Sequence, residues 1–259
     1  MTGARTDLRL GVRRALNLAL RVPLRLRSRR YWPDRTHRYV VIAPHPDDET
    51  IGCGGLIAAC RRLEAPVDVV FLTDGSASLP DHPALGPSQL AALRAREARA
   101  ALAILGVEAA RLHFMGWPDG RLAHLDLVAA AAGVAALASL LRQLQPDEIV
   151  LPWRRDGSSE HEAAFTLVRR AVAAAGLAPV WLEFPVWAWW SPRLLVRFLR
   201  TATPTRRLPL GGDRATKARA LAQYQSQIAP VPPWCNAALP AGFADLFLGP
   251  NEYFATPLP

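Results

Sequence analysis

From residue 39 onward, apolar runs of strand length alternate strictly with stretches of helical length, and this rhythm leaves few folds open. The runs are 39–43 (YVVIA), 67–72 (VDVVFL), 111–115 (RLHFM), 148–151 (EIVL) and 180–184 (VWLEF). Helical patterns lie between them, at roughly 50–63, 88–105, 124–144 and 160–175. Strand and helix in turn, with short connections, require crossovers that cover both faces of a sheet. We therefore expect an α/β fold: a doubly wound, mostly parallel Rossmann-like sheet with helices on both faces. Ligands of such a sheet bind beyond the carboxyl ends of its strands, at a topological switch point.

After residue 184 the rhythm breaks. The segment "FPVWAWWSP" (184–192) crowds Trp187, Trp189 and Trp190 between prolines, as a sugar-stacking wall or as an aromatic cluster of the core or of an oligomer interface. Residues 201–213 read as a connection, 213–228 as a helix, and the remainder as a proline-rich tail. Residues 39–259 form one domain in this reading, and residues 1–38 a basic N-terminal extension.

The charge supports that division. The chain carries a formal +9, and residues 1–38 hold 11 arginines against Asp7 and Asp34, so the rest is formally neutral. A neutral body without basic residues among its aromatics argues against nucleic acid as a partner. The extension reads as a basic helix over about residues 7–21, ended or kinked by Pro23. Leu8, Val12, Leu16 and Leu20 recur at i+4, with Arg9, Arg13 and Arg14 on other faces. Such a helix can lie on an anionic membrane surface. It can equally pack on the domain.

No window approaches the ~20 uninterrupted apolar residues of a membrane span. The N-terminus lacks the apolar core and cleavage site of a secretory signal. Three cysteines (Cys53, Cys60, Cys235) give an odd count and no CxxC, which speaks against a disulfide framework. We expect a reducing, cytoplasmic compartment, with peripheral contact at the inner membrane face through the arm.

The chemistry sits where the first strand ends, in "VIAPHPDDETIGCGG" (41–55). Three adjacent acids, Asp47, Asp48 and Glu49, repel one another and need compensation from a helix N-terminus, a metal or solvent. The helix dipole accounts for Glu49 and part of Asp48. It does not account for His45. A histidine and a carboxylate three positions apart can converge on one cation across a tight turn, while a neighbouring acid takes a proton from the attacking water. A third ligand is then needed, and His161 is best placed. It follows the strand EIVLP at the start of the next helix, and that strand can adjoin the first across the switch point. His37, His82, His113 and His124 sit at positions better suited to structural roles.

"APHPDDETIGCGG" resembles the signature of the PIG-L/LmbE-like zinc N-deacetylases, and the likeness continues in order over about residues 39–228. "VVFLTDGS", "LRAREARAALAILGV", "FMGWPDGRL" and "KARALAQYQSQ" resemble the family's later motifs. The resemblance implies that His45, Asp48 and His161 bind Zn²⁺ or another divalent metal, with Asp47 as general base. It also implies that Arg94 and Asp119 face the hydroxyls of an N-acetylated sugar. Read without the family, Arg94 is a solvated helix residue paired with Glu97, and Asp119 a turn residue. One departure stands out. The family form Asp-x-His-x-Asp-His becomes "DGSSEH", which keeps Asp156 and His161, puts Glu160 for the second acid, and puts Ser158 where a histidine is thought to assist the oxyanion.

The expected function is removal of acetyl from an N-acetylglucosaminyl-type conjugate, on a lipid-linked or envelope glycan precursor in one form. The alternative is a membrane-recruited glycan-binding protein with a degenerate metal site. A base kept beside the metal ligands weighs against that alternative.

Overall fold

The structure is a computed structural model. It describes residues 2–200 and 204–256; the side chains of residues 2–10 and 14, among them Leu8, Arg9 and Arg14 of the expected amphipathic pattern, lie outside the description. In chain order the described strands are β1 (Arg29–Arg30), β2 (Tyr39–Ala43), β3 (Val67–Thr73), β4 (Leu112–Trp117), β5 (Glu148–Pro152), β6 (Val180–Phe184), β7 (Thr205–Pro209) and β8 (Asn251–Ala255). The helices are α1 (Thr2–Arg27), α2 (Asp48–Arg62), α3 (Pro87–Ile104), α4 (Leu127–Leu144), α5 (Ser159–Ala175), α6 (Trp187–Trp190), α7 (Pro192–Leu199), α8 (Asp213–Leu221) and α9 (Gln225–Ile228). All eight strands form one sheet in the order β1-β7-β8-β6-β5-β2-β3-β4.

The expected α/β class is what forms. Strands β2 to β6 run parallel, and only β8 is antiparallel to its neighbours β6 and β7. Alternate residues of the central strands feed two cores. Val41 and Ala43 face one with α2 and α8, while Val40 and Ile42 face the other with α4 and α5. The chain leaves β2 for β3 on one side and returns to β5 on the other, so the switch point lies between β2 and β5. Their register, Val40 beside Ile149 and Val41 beside Val150, brings the loops after both strands to one edge.

The tail differs from expectation. It supplies β8, which lies between β6 and β7, and the 201–213 connection contains β7. Two arginines and a proline in "TRRLP" hide a short strand from any periodicity. The expected helix over 213–228 breaks after Leu221 into α8 and α9.

Helix α2 is kinked at Cys53, whose φ/ψ of −142°/22° leaves the helical range. Close packing accompanies the kink: a Cβ on Gly52 would lie 1.9 Å from the Phe184 ring. A buried ion pair takes up the backbone groups there. Lys217 Nζ donates to the Ile51 carbonyl (2.7 Å) and to Glu252 Oε1 (2.7 Å), while Glu252 accepts from Gly55 N (2.7 Å) and Leu56 N (2.8 Å). The chain's one lysine is thus a structural plug.

Helix α1 runs longer than expected and continues through Pro23. Proline removes the bond to residue 19, and both residues are exposed, so water can solvate the freed carbonyl. Leu24 and Tyr31 enter the core, and β1 pairs with β7. The expected stripe is divided: Leu20 packs inward, whereas Val12 and Leu16 face solvent. Helix α4 is, by length and composition, apolar enough to cross a membrane. Its buried row of Ala130, Val134, Leu137, Ala138 and Leu141 covers the sheet.

Candidate active site

Five strand ends contribute to one cleft of about 300 Å³. The loop after β2 brings His45, Asp47 and Asp48; the loop after β4 brings Asp119; the loop after β5 and the start of α5 bring Ser158 and His161. Helix α3 adds Arg94, and Trp187, Gln227 and Phe243 line the remainder. All seven residues singled out in the sequence therefore reach one cavity.

The three adjacent acids diverge. Asp48 turns to the histidines: its Oδ2 lies 3.0 Å from His45 Nδ1 and 3.4 Å from His161 Nε2. Asp47 takes a strained backbone with φ 151° and lies 3.3 Å from the Arg94 guanidinium. Strain of this kind costs on the order of 1–3 kcal/mol and persists where the surroundings impose it. Glu49 is structural. It accepts from Asp47 N (3.1 Å), from Thr50 Oγ1 (2.5 Å) and from the Tyr224 hydroxyl.

Each histidine has a carboxylate on its far nitrogen. His161 Nδ1 lies 2.8 Å from Asp156 Oδ2, and His45 Nε2 lies 3.2 Å from Asp119 Oδ1. Such partners fix the tautomer and aim the other nitrogen. Asp156 is fully buried and also accepts from Val186 N (3.0 Å), Trp187 N (2.9 Å) and Ala188 N (3.0 Å). Asp119 accepts from Ala77 N (2.9 Å) as well.

Arg94 is buried rather than solvated. It donates to the carbonyls of Gly75 (3.0 Å) and Pro46 (2.8 Å), locking the Asp47 loop, while Glu97 binds Ser226 instead. The structure thus sets aside the solvated Arg94–Glu97 pair. Ser158 lines the cleft and caps α5 by accepting from His161 N (3.4 Å).

Burial pushes the Asp47 carboxyl up to about 7, with the Arg94 charge opposing and Asp48 adding to the rise. Burial pulls the histidines down. The hydrogen bonds and charges of Asp119 and Asp48 outweigh it and raise His45 to about 9. Asp48 and Asp156 likewise raise His161 to about 10. The Asp48 carboxyl is driven low, against its own burial, by the two imidazoles.

This excess of acid around two imidazoles fits a divalent cation. One donor atom each from His45, Asp48 and His161 lie within 4.8 Å of one another. Glu160 adds a buried, unpartnered Oε2 at 3.9 Å from His45 Nε2, and its Oε1 accepts from Leu122 N (3.0 Å). His45, Asp119 and Glu160 make a second such grouping around the same imidazole.

Sequence reasoning finds Asp156 and Glu160 only as members of a pattern; their work as orienting and orphaned carboxylates needs the fold. Gln227 and Tyr224 carry the late "KARALAQYQSQ" motif into the site, one on the cleft and the other on Glu49.

Two histidines, an aspartate and an adjacent acid at the strand ends of a doubly wound α/β domain have the donor set of a candidate metal site with a base beside it. The family model described as PIG-L, GlcNAc-PI de-N-acetylase, matches residues 40–172, and the chain belongs to that family. It is by that membership an N-deacetylating enzyme. The chain is 29% identical over 197 residues to diacetylchitobiose deacetylase of Thermococcus kodakarensis, covering 73% of this chain and 70% of that protein. It is 33% identical over 168 residues to 1D-myo-inositol 2-acetamido-2-deoxy-α-D-glucopyranoside deacetylase of Tsukamurella paurometabola, covering 54% and 56%. Part of each relative's length, nearly half of the second, thus lies outside the match. The N,N'-diacetylchitobiose deacetylase of Pyrococcus horikoshii shares the fold, with a TM-score of 0.61, 21% identity and coverage of 85% and 83%.

Proposed function

We propose that this chain is a zinc-dependent deacetylase of N-acetylglucosaminyl-type conjugates. The observation that carries the reading is the convergence of His45, Asp48 and His161 at one point of the cleft, with Asp47 beside them. Two imidazoles and one carboxylate make a ligand set typical of catalytic zinc, which leaves a position for water. The metal, when bound there, supplies Lewis-acid polarisation of the amide carbonyl and lowers the pKa of water. Asp47 accepts the proton of the attacking water and returns it to the leaving nitrogen, giving acetate and a free amine. An acid raised to about 7 suits both directions of transfer. Arg94 holds Asp47 in place and balances its charge. Asp119 and Asp156 orient the two imidazoles. The upper cleft, with Trp187, Gln227 and Phe243, receives the sugar. A lipid-linked or envelope glycan precursor is the substrate form that the basic arm favours.

An acetate-release screen tests this, run with metal analysis on diacetylchitobiose, N-acetylglucosamine and N-acetylglucosaminyl-inositol. Release from at least one sugar, lost with chelator and regained with zinc, is the expected result. Silence of the zinc-loaded protein toward all of them would overturn the reading.

Ser158 offers a neutral donor at the position where the resemblance to the family form Asp-x-His-x-Asp-His implies an imidazole. Loss of an oxyanion donor typically costs ~10²–10³ in rate. Ser158→His is therefore expected to raise turnover roughly tenfold or more. Losing the serine cap costs about 0.5–2 kcal/mol of stability, which a thermal melt reads separately. Unchanged turnover with a folded, metal-loaded variant would mean the oxyanion is met by another group.

A further inference from the structure

Helix α1 is held to the body along one face. Asn17 Nδ2 donates to the Trp189 carbonyl (2.7 Å), Leu24 is buried, and the Arg21 guanidinium donates to the Leu246 carbonyl. Arg13 and Arg21 lie over the rings of Trp190 and Trp189 at 3.9 and 4.6 Å.

The opposite face is apolar and bare. Leu18, Val22 and Leu26, at i, i+4 and i+8, are 68%, 59% and 80% exposed, and Val12 and Leu16 are 52% and 47% exposed. Exposed Gly11, Ala15 and Ala19 fall between them. At about 100° per residue these eight positions fill a continuous arc of about 160°. Exposed Arg25 borders one edge of the arc and exposed Arg27 the other. Residues 11–33 contain seven arginines and no acid.

We propose that this outer face of α1 docks on the surface of an anionic phospholipid bilayer, lying in the plane of the interface. The apolar arc enters the acyl boundary and the bordering guanidiniums meet lipid phosphates, for which their planar fork is suited. A hollow of about 170 Å³, lined by Leu18, Val22, Arg21 and Arg25 with Pro250, Asn251 and Tyr253, opens beside the arc and has the mixed lining a headgroup needs. A second copy of the chain suits this face less well. Two-fold pairing would bring each arginine border against another, with no acid in residues 11–33 to offset it. Spanning is excluded for α1, because arginines at 13, 21, 25 and 27 interrupt every long apolar window. On this surface the cleft stands one helix and one aromatic layer from the lipid, since Trp190 packs on the cleft residue Phe243 at 5.6 Å.

Co-sedimentation of the full chain with vesicles tests the proposal without reference to enzymatic activity. The protein is expected to pellet with equimolar phosphatidylglycerol and phosphatidylcholine at low salt, to be released at high salt, and to ignore pure phosphatidylcholine. Leu18→Asp/Val22→Asp/Leu26→Asp should lower the bound fraction roughly tenfold or more, since three large apolar side chains leave the lipid. Arg25→Gln/Arg27→Gln, a milder variant, should weaken binding to anionic vesicles by roughly tenfold while keeping the apolar arc. Deacetylation of a small soluble sugar should stay within about twofold in both. Absence of pelleting with anionic vesicles at low salt, or undiminished pelleting of the triple variant, would overturn the proposal. So would a dimer in sedimentation velocity that the triple variant dissociates, because a second copy would then cover the face.

Discussion

Asp47→Asn is expected to lower turnover by about 10²–10⁴-fold while leaving fold and metal content unchanged. The amide keeps the shape of the carboxylate, and its oxygen can still accept from Arg94, so the loop stays held by the Gly75 and Pro46 contacts. Asparagine and aspartate share size and branching, so the exchange adds no steric demand at a backbone with φ 151°. What the amide cannot do is take a proton from water. Steady-state kinetics on the best substrate of the screen, with metal analysis and a thermal melt, read these three properties apart. Turnover within tenfold of the unsubstituted chain, at full metal loading, would assign the base to another group.

His161→Ala is expected to abolish stable metal binding and with it nearly all turnover. Asp156→Asn should weaken metal affinity by about 10–100-fold, the usual effect of losing a carboxylate that aims a histidine ligand. The order of the two effects is the informative part. His161 offers the donor atom nearest Asp48 on its side of the site, whereas Asp156 acts through that imidazole. Calorimetric titration with zinc after exhaustive chelation measures both. Equal metal uptake by His161→Ala and the unsubstituted chain would remove His161 from the ligand set.

Most of the central sheet is legible in the amino-acid sequence, because each buried strand is a short continuous apolar run. The five runs read from the chain are β2 to β6 within a residue or two at each end. The switch point between β2 and β5 follows from strand order alone, and it brings His161 to His45. Strand β7 is not legible. Its Arg206, Arg207 and Pro209 give no apolar signal, and it is held between β8 on one side and β1 on the other. The kink in α2 is equally hidden, since its Lys217–Glu252 plug joins residues distant in sequence.

The site divides in the same way. His45, Asp47 and Asp48 are readable because a local loop carries them. Asp156 and Glu160 are not, since a carboxylate's task depends on what the fold sets against it. Arg94 shows the cost of local reasoning: Glu97 lies one helical turn away, but the buried guanidinium turns instead to the Asp47 loop. Pro23 misleads in the other direction, because a helix with a solvated face can lose one bond and continue.

The four hydrogen bonds of Asp156 bear on how a chain like this can diverge. One carboxylate fixes His161 and, through three consecutive amides, the first turn of the tryptophan segment. Mutations that shift the backbone at Trp187 to admit a new sugar therefore pull on the carboxylate that holds the imidazole, and would be lost to selection together with metal binding. Phe243 is packed on Trp187 and shares that tie, whereas the stretch at Ala238 and Leu239 is held more lightly, the Leu239 amide donating to the Gln227 carbonyl. Among the segments lining the cleft, that stretch is where inherited changes in substrate preference can accumulate while the chemistry stays intact.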